Sequence, residues 1–305
     1  MTKLSNQIVF FGSGPVAAKS LEFLSENFEI EAVITKPKLS NSRDSVPVIE
    51  LSNKLGIKSY TPTNKLELDS LIRTGILGSK LGVLIDYGII VSETVIDYFK
   101  LGIINSHFSL LPLLRGPDPI SFSILSGVDI SGVSLMLINI GIDEGKLLAQ
   151  EKLKIGNLNN IELTKKLIDL SNKMLKNCLP KYLSGKLIPY PQSDIISPTY
   201  SRKLIKQDGV INWSKPSNQI EREIRAYISW PKSTTDIFGI PVIITSAKSS
   251  NVTIKPGSIK FDKSSLVIGC SDGSLSITRL KPAGKNDMTI SSFIAGYKNR
   301  FQTIN

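Results

Sequence analysis

Through the first 180 residues, short apolar runs alternate with stretches of helical period, and no other feature constrains the fold as strongly. Strand-like runs occur at Gln7–Phe11, Ile30–Thr35, Gly82–Ile85 and Leu101–Ser106. Helical patterns lie between them, from Pro15 to Leu24 and near Val48–Leu55. Strands that alternate with helices pair in parallel, because each crossover helix returns the chain to the same end of the sheet. The rhythm therefore predicts an α/β domain with a mostly parallel sheet flanked by helices. Within Asn160–Leu179, the residues Leu163, Leu167, Leu170, Met174 and Cys178 recur at helical spacing. Asn160 can cap that helix and Pro180 is expected to end it.

The rhythm then stops. Pro189 to Ser201 is rich in proline and serine, which suits an extended connector better than a helix or a ladder. Beyond it one helix is expected, from Asn218 to about Ile228, with Ser217 as its cap and Ile220, Ile224, Tyr227 and Ile228 on one face. The rest reads as short strands with turns at Phe238-Gly239, Pro256-Gly257 and Asp272-Gly273, which predicts a small β-barrel or sandwich. A length of 305 residues accommodates two cores. The expected division is a first domain over 1–188, a linker over 189–204 and a second domain over 205–305.

Composition narrows the function. Residues 1–190 carry 21 basic and 18 acidic groups, whereas residues 191–305 carry 16 and 8, so most of the net charge of +11 sits in the smaller second part. Such a domain is a candidate for binding a polyanion, with simple solubility as the alternative. Two cysteines 92 residues apart and one histidine cannot build a zinc site or a disulfide framework, so no metal is expected. The N-terminal apolar run of four residues is too short for a signal peptide, and no stretch spans a bilayer. A cytosolic protein without a membrane partner, acting as a monomer, is the expectation.

Two glycine motifs match known patterns by letter only. Gly12-Ser-Gly14-Pro15 follows a strand and opens a helix. It lacks the third glycine of a dinucleotide fingerprint, and the next strand ends without the acidic residue that holds a ribose. A tight turn with Pro15 at the first helical position accounts for it. Gly269-Cys-Ser271-Asp-Gly273 resembles a nucleophile elbow, but it lies between two strands and reads as a hairpin turn.

The remaining candidate is Asn105-Ser-His107-Phe-Ser109-Leu110-Leu111-Pro112-Leu-Leu-Arg115-Gly116, which holds the only histidine. Asn105 and His107 are two apart, so a strand points both to one face. That strand ends at a turn, where α/β sheets bind ligands. Gly141-Ile-Asp143-Glu-Gly145 adds a carboxylate on a loop that can approach the same place. An amide and an imidazole that polarise a carbonyl, with a carboxylate to handle protons, suit acyl or one-carbon transfer.

These residues resemble the 10-formyltetrahydrofolate-dependent formyltransferases, whose signature is Asn-x-His-x-Ser-Leu-Leu-Pro followed by Gly-x-Asp-x-Gly. Asp208-Gly-x-Ile-Asn-Trp213, Arg225-Ala-Tyr-x-x-Trp230-Pro231 and Leu280-Lys-Pro-Ala-Gly-Lys285 resemble the C-terminal domain of the branch that formylates initiator methionyl-tRNA. The resemblance implies a Rossmann-like first domain that binds 10-formyltetrahydrofolate as co-substrate and an OB-like β-barrel that helps to hold tRNA. It implies that Asn105 and His107 stabilise an oxyanion while Asp143 sets the imidazole's protonation and moves a proton. Ser109, Leu110, Leu111 and Pro112 align with the folate-contacting turn, and Tyr87, Gly88 and Ile89 with the loop that cups the pterin. Phe11, Gly12, Arg43 and Arg115 are the residues assigned to substrate or tRNA. Phe108, Asp86, Pro117-Asp118 and Lys146 depart from the family pattern, which implies a reshaped pocket. The loop after Lys36 is short, which leaves Arg43 to enter the acceptor arm. Three alternatives stay open on the residues alone: a nucleotide-linked amino sugar as acceptor, hydrolysis of formyl-folate, and a non-catalytic RNA-binding relative.

Overall fold

The computed structural model describes residues 7–38 and 46–298. The chain divides into two compact units. The first comprises residues up to Pro119 together with Ile130–Lys154 and Thr164–Tyr200, and the second comprises Ile120–Asp129, Ile155–Leu163 and the residues from Ser201 onward.

In chain order the first elements are β1 (Gln7–Phe11), α1 (Pro15–Asn27), β2 (Glu29–Ile34), α2 (Pro47–Lys54), β3 (Ser59–Tyr60), α3 (Lys65–Arg73), β4 (Gly82–Leu84), α4 (Glu93–Tyr98) and β5 (Ile103–His107). They are followed by α5 (Pro119–Leu125), β6 (Ile130–Leu137), β7 (Leu147–Lys154) and α6 (Asn160–Leu183). The seven strands form one sheet in the order β3-β2-β1-β4-β5-β6-β7. Pairing is parallel from β3 to β5 and antiparallel for β5 with β6 and β6 with β7. Ile8, Val9, Phe10 and Phe11 are all fully buried, because a central parallel strand has helices over both faces.

The first turn of the chain needs glycine at one point. A Cβ on Gly12 would lie 2.6 Å from the Ala17 Cβ and 2.8 Å from the Ile85 oxygen, so the residue is there for close packing. The strand-to-helix turn expected at Gly12–Pro15 is present, with Pro15 at the start of α1. α3 begins with a capping exchange in which Asn64 accepts from the Glu67 N–H at 3.1 Å and Glu67 accepts from the Thr63 N–H at 2.8 Å.

Helix boundaries differ from expectation at several points. α1 runs three residues past Leu24 to Asn27, and Asn159 rather than Asn160 caps α6, accepting from the Glu162 N–H at 3.1 Å. α6 continues through Pro180 to Leu183 and ends at Gly185 (φ +71), where the Lys186 N–H reaches the Lys181 carbonyl at 2.8 Å and the Gly185 N–H reaches Tyr182 at 3.0 Å. A proline in the last turn removes only one donor, and the left-handed glycine supplies the real stop.

The second unit holds α7 (Ser217–Ala226), β8 (Ser233–Ile237), β9 (Ile240–Ser250), β10 (Ile259–Phe261), β11 (Leu266–Cys270), β12 (Gly273–Pro282), β13 (Met288–Thr289) and α8 (Ile290–Gly296). α7 starts one residue earlier than expected, with Pro216 at the cap position, and ends at Ala226 rather than near Ile228. Ser217 does not cap it, and the Asp272 carboxylate accepts from the Ser217 N–H at 2.7 Å instead. The strands form an antiparallel sheet in the order β10-β11-β12-β9-β8, with β13 on β12, which makes a half-barrel. Its core is built from Ile220, Ile224, Ile237, Leu266, Leu275, Leu280 and Phe293. The β8–β9 turn at Phe238-Gly239 has φ of 52° and 76°, the mirror-image turn that matches strand twist. Gly269–Gly273 lies in the β11–β12 hairpin, so the elbow pattern there is a turn.

Candidate active site

β5 delivers Asn105 and His107 from one face at its carboxyl end, while Ser106 points the other way and its hydroxyl meets that of Ser171 on α6 at 2.6 Å. Asp143 sits in the loop of the β6–β7 hairpin. That loop closes tightly, with the Leu137 N–H donating to the Lys146 carbonyl at 2.8 Å, and a Cβ on Gly145 would lie 1.6 Å from the Leu137 oxygen. Asp143 itself has φ of 52°, a left-handed conformation that aspartate tolerates better than most residues.

The three side chains converge. Asp143 Oδ2 lies 3.5 Å from His107 Nδ1 and accepts from the Gly116 N–H at 2.7 Å, while Asp143 Oδ1 accepts from Asn105 Nδ2 at 3.4 Å. The other ring nitrogen, His107 Nε2, is 2.9 Å from the Leu114 carbonyl. A carbonyl only accepts, so Nε2 carries hydrogen and the Nδ1 side of the ring faces the carboxylate. The imidazole is 6% exposed and Asp143 17%, so solvent screens the pair little. An amide with a second hydrogen to spare, an imidazole and a carboxylate around one point can polarise a carbonyl and shuttle a proton.

The residues assigned to the co-substrate fall into two groups. Ser109, Leu111, Pro112 and Tyr87 are buried, and so is Phe108. In this structure their side chains pack or bond inside the protein. Ser109 donates its hydroxyl to the Leu113 carbonyl at 2.6 Å, and Ser134 and Gln150 bind the turn's Ser109 and Leu111 carbonyls at 2.6 and 2.8 Å. Tyr87 stacks edge-on against Phe11 with centroids 5.6 Å apart. Leu110, Gly88 and Ile89 reach the surface and can touch a ligand.

Of the residues assigned to substrate or tRNA, the Phe11 side chain is fully buried and Gly12 is buried beside it, so either would meet a substrate only through its main chain. Arg43 lies outside the described residues. Arg115 lies beside the site, where Nη1 meets Glu144 Oε1 at 3.2 Å and Nη2 donates to Gln192 Oε1 at 2.8 Å. Asp86 also has a left-handed φ of 51°. The surrounding protein desolvates its carboxyl and pushes it up to about 6, with Lys36 pulling it down and Asp118 pushing it up. Its side chain still reaches solvent, which works against that desolvation.

Sequence reasoning missed the Gly116 N–H, the Leu114 carbonyl and Gln192. The first two are main-chain groups, whose bonding no side-chain identity reveals. Gln192 lies in the segment read as a connector, with no spacing or charge to mark it. Among the described residues, no group of three or more His, Cys, Asp or Glu is placed to hold a metal ion, and no helix is long and apolar enough to cross a membrane.

Comparison with known proteins gives a consistent result. Residues 6–179 match the formyl transferase family, and residues 203–298 match the formyl transferase C-terminal domain. The methionyl-tRNA formyltransferase of Roseiflexus castenholzii is 32% identical over 305 residues, covering 97% of each chain. That of Listeria innocua serovar 6a is 33% identical over 301 residues, covering 95% of each. Among solved structures, the N-formyltransferase from Helicobacter canadensis, in complex with folinic acid and dTDP-3-aminofucose, superposes with a TM-score of 0.69. It is 23% identical and covers 90% of this chain and 98% of that one.

Proposed function

The chain belongs to the formyl transferase family, and from that premise we propose that it moves the formyl group of 10-formyltetrahydrofolate to the α-amine of initiator methionyl-tRNA. The observation that carries the reading is the convergence of Asn105 and His107 on the Asp143 carboxylate, at 3.4 and 3.5 Å.

The uncharged α-amine attacks the formyl carbon, a C–N bond forms and the carbonyl oxygen takes up the electron pair. The free hydrogen of the Asn105 amide receives that oxyanion, while the His107 ring, with its Nε2 hydrogen on the Leu114 carbonyl and its Nδ1 turned to Asp143, lies beside it and fixes where the carboxylate stands. A preorganised donor at such a position contributes about 3–4 kcal/mol to the transition state. Asp143, through His107 Nδ1 or a water, takes the proton leaving the amine. The bond from the formyl carbon to the folate nitrogen then breaks, and that nitrogen receives the proton. The products are N-formylmethionyl-tRNA and tetrahydrofolate, and atoms and charge balance without another reactant.

Leu110, Gly88 and Ile89 are the residues that would touch the folate, with Ser109, Leu111, Pro112 and Tyr87 holding the turn and loop in shape. The methionyl-tRNA assignment is supported by relatives that match over the whole chain and act on that acceptor, and by the charge of +8 on residues 191–305, which suits a phosphate backbone. The test is direct. With 10-formyltetrahydrofolate as donor, methionyl-tRNA should become formylated and dTDP-3-aminofucose should not. Formylation of the sugar alone would overturn the acceptor assignment.

A further inference from the structure

The segment that reads as a bare connector is bonded to both partners of the catalytic imidazole. Tyr190 pairs with Leu147 at the root of the Asp143 loop, exchanging N–H and carbonyl in both directions at 2.7 and 2.9 Å. Two residues on, Gln192 Nε2 donates to the carbonyl of Asp143, whose carboxylate faces His107, at 2.7 Å and to the Gly145 carbonyl at 3.0 Å, spanning Glu144. The Gln192 oxygen in turn accepts from Arg115 at 2.8 Å, and Arg115 also meets Glu144 of the same loop at 3.2 Å. Farther along, Thr199 accepts from the Leu114 N–H through its hydroxyl and from the Arg115 N–H through its carbonyl, both at 2.9 Å.

The second anchor has a physical reason. Leu114 has φ of 56°, a left-handed conformation that a leucine holds only when its neighbours impose it. The Leu114 carbonyl is the group that accepts from His107 Nε2. Relaxing Leu114 to an ordinary conformation would swing that carbonyl away from the ring. Likewise, a β6–β7 loop released from Gln192 would be free to move the Asp143 carboxylate relative to Nδ1.

We propose that Gln192 is a positioning residue for formyl transfer, holding the Asp143 loop in register with His107 through its two donated hydrogen bonds and its Arg115 contact. The inference rests on the formyl-transfer reading above only for its kinetic arm. Because the chain has one histidine, the ring C–H signals of His107 can be followed by proton NMR without any substrate.

The experiment compares wild type with Gln192→Leu, Gln192→Glu and Gln192→Asn. Leu and Glu both remove the donor group, and Glu keeps an oxygen for Arg115, so either variant decides the matter if circular dichroism shows the other unfolded. The expected result is displaced His107 ring signals and a kcat lowered roughly 10- to 100-fold, the scale of about 1 Å of misplacement, with KM for both substrates within about twofold. Asn, which keeps a shorter donor, should recover part of the loss. Unmoved ring signals with wild-type kcat in Leu or Glu would overturn the proposal. So would a rise in KM that matches the fall in kcat, since that marks general damage. If wild type itself formylates no acceptor, the functional reading fails, and the ring signals still judge Gln192.

Discussion

Replacing Asp143 with Asn keeps the shape of the side chain and removes its charge and one acceptor, so its effect follows from the three contacts. The surviving oxygen keeps the shortest bond, to the Gly116 N–H at 2.7 Å, and stays near His107 Nδ1. The new NH2 then faces the Asn105 Nδ2 donor across the present 3.4 Å. Two donors repel, so the Asn105 amide turns over and presents its oxygen, which withdraws a hydrogen from the place where the formyl oxygen gathers charge. Proton transfer by a positioned group contributes typically 10²- to 10⁴-fold, so kcat should fall by about that factor, or roughly 3–5 kcal/mol of transition-state stabilisation. Neither substrate needs the charge to bind, so each KM should stay within about twofold, the pattern of an interaction made only in the transition state. The assay is steady-state transfer of labelled formyl groups to charged tRNA, with the melting temperature measured in parallel. A kcat within about threefold of wild type in folded protein would refute this assignment.

Further expectations concern the same site and its surroundings. His107→Ala should lower kcat by a factor of the same order. Combining it with Asp143→Asn should add little, because the two act as a unit, and multiplicative losses in the double-mutant cycle would contradict that. Asp86 has a raised carboxyl in the folded protein, about 6, so the native state keeps a proton that the unfolded chain releases, and stability on its account falls as pH rises from about 4 to 6. Asp86→Asn should therefore raise the melting temperature at pH 7.5 and leave it unchanged near pH 3.5, as read by calorimetry, and equal effects at both pH values would remove the basis for this reading. If tRNA is the acceptor, kcat/KM should fall steeply between about 50 and 200 mM salt as counterion release is lost, and a flat profile would argue for a small acceptor.

The parts of the fold legible in the sequence are those where periodicity and burial coincide. β1 and β4 are central and mostly buried, and β2 and β5 are buried over residues 32–34 and 103–104, so each shows at least a short apolar run. β6 carries Ser131, Gly132 and Ser134 at buried positions, where a Cβ on Gly132 would lie 2.2 Å from the Glu151 oxygen, and these interrupt the apolar signal of a strand. β7 is half-exposed at the sheet edge, with Glu151, Lys152 and Lys154 giving it no strand period. The triad was legible because strand geometry places Asn105 and His107 two apart and the chain holds one imidazole. Their supports were not legible, since Leu114 and Gly116 act through main-chain atoms and Gln192 acts across 49 residues of chain. Phe11 shows the opposite hazard, a residue assigned to substrate or tRNA whose side chain packs with Tyr87 and Phe99 inside the core.

The most direct test of the account is a crystal structure with a non-transferable formyl-folate bound. The formyl oxygen should lie about 2.7–3.1 Å from Asn105 Nδ2, with His107 on the same side and Asp143 within reach of the incoming amine through one water at most. A formyl group held elsewhere, with Asn105, His107 and Asp143 all beyond hydrogen-bond reach, would contradict it.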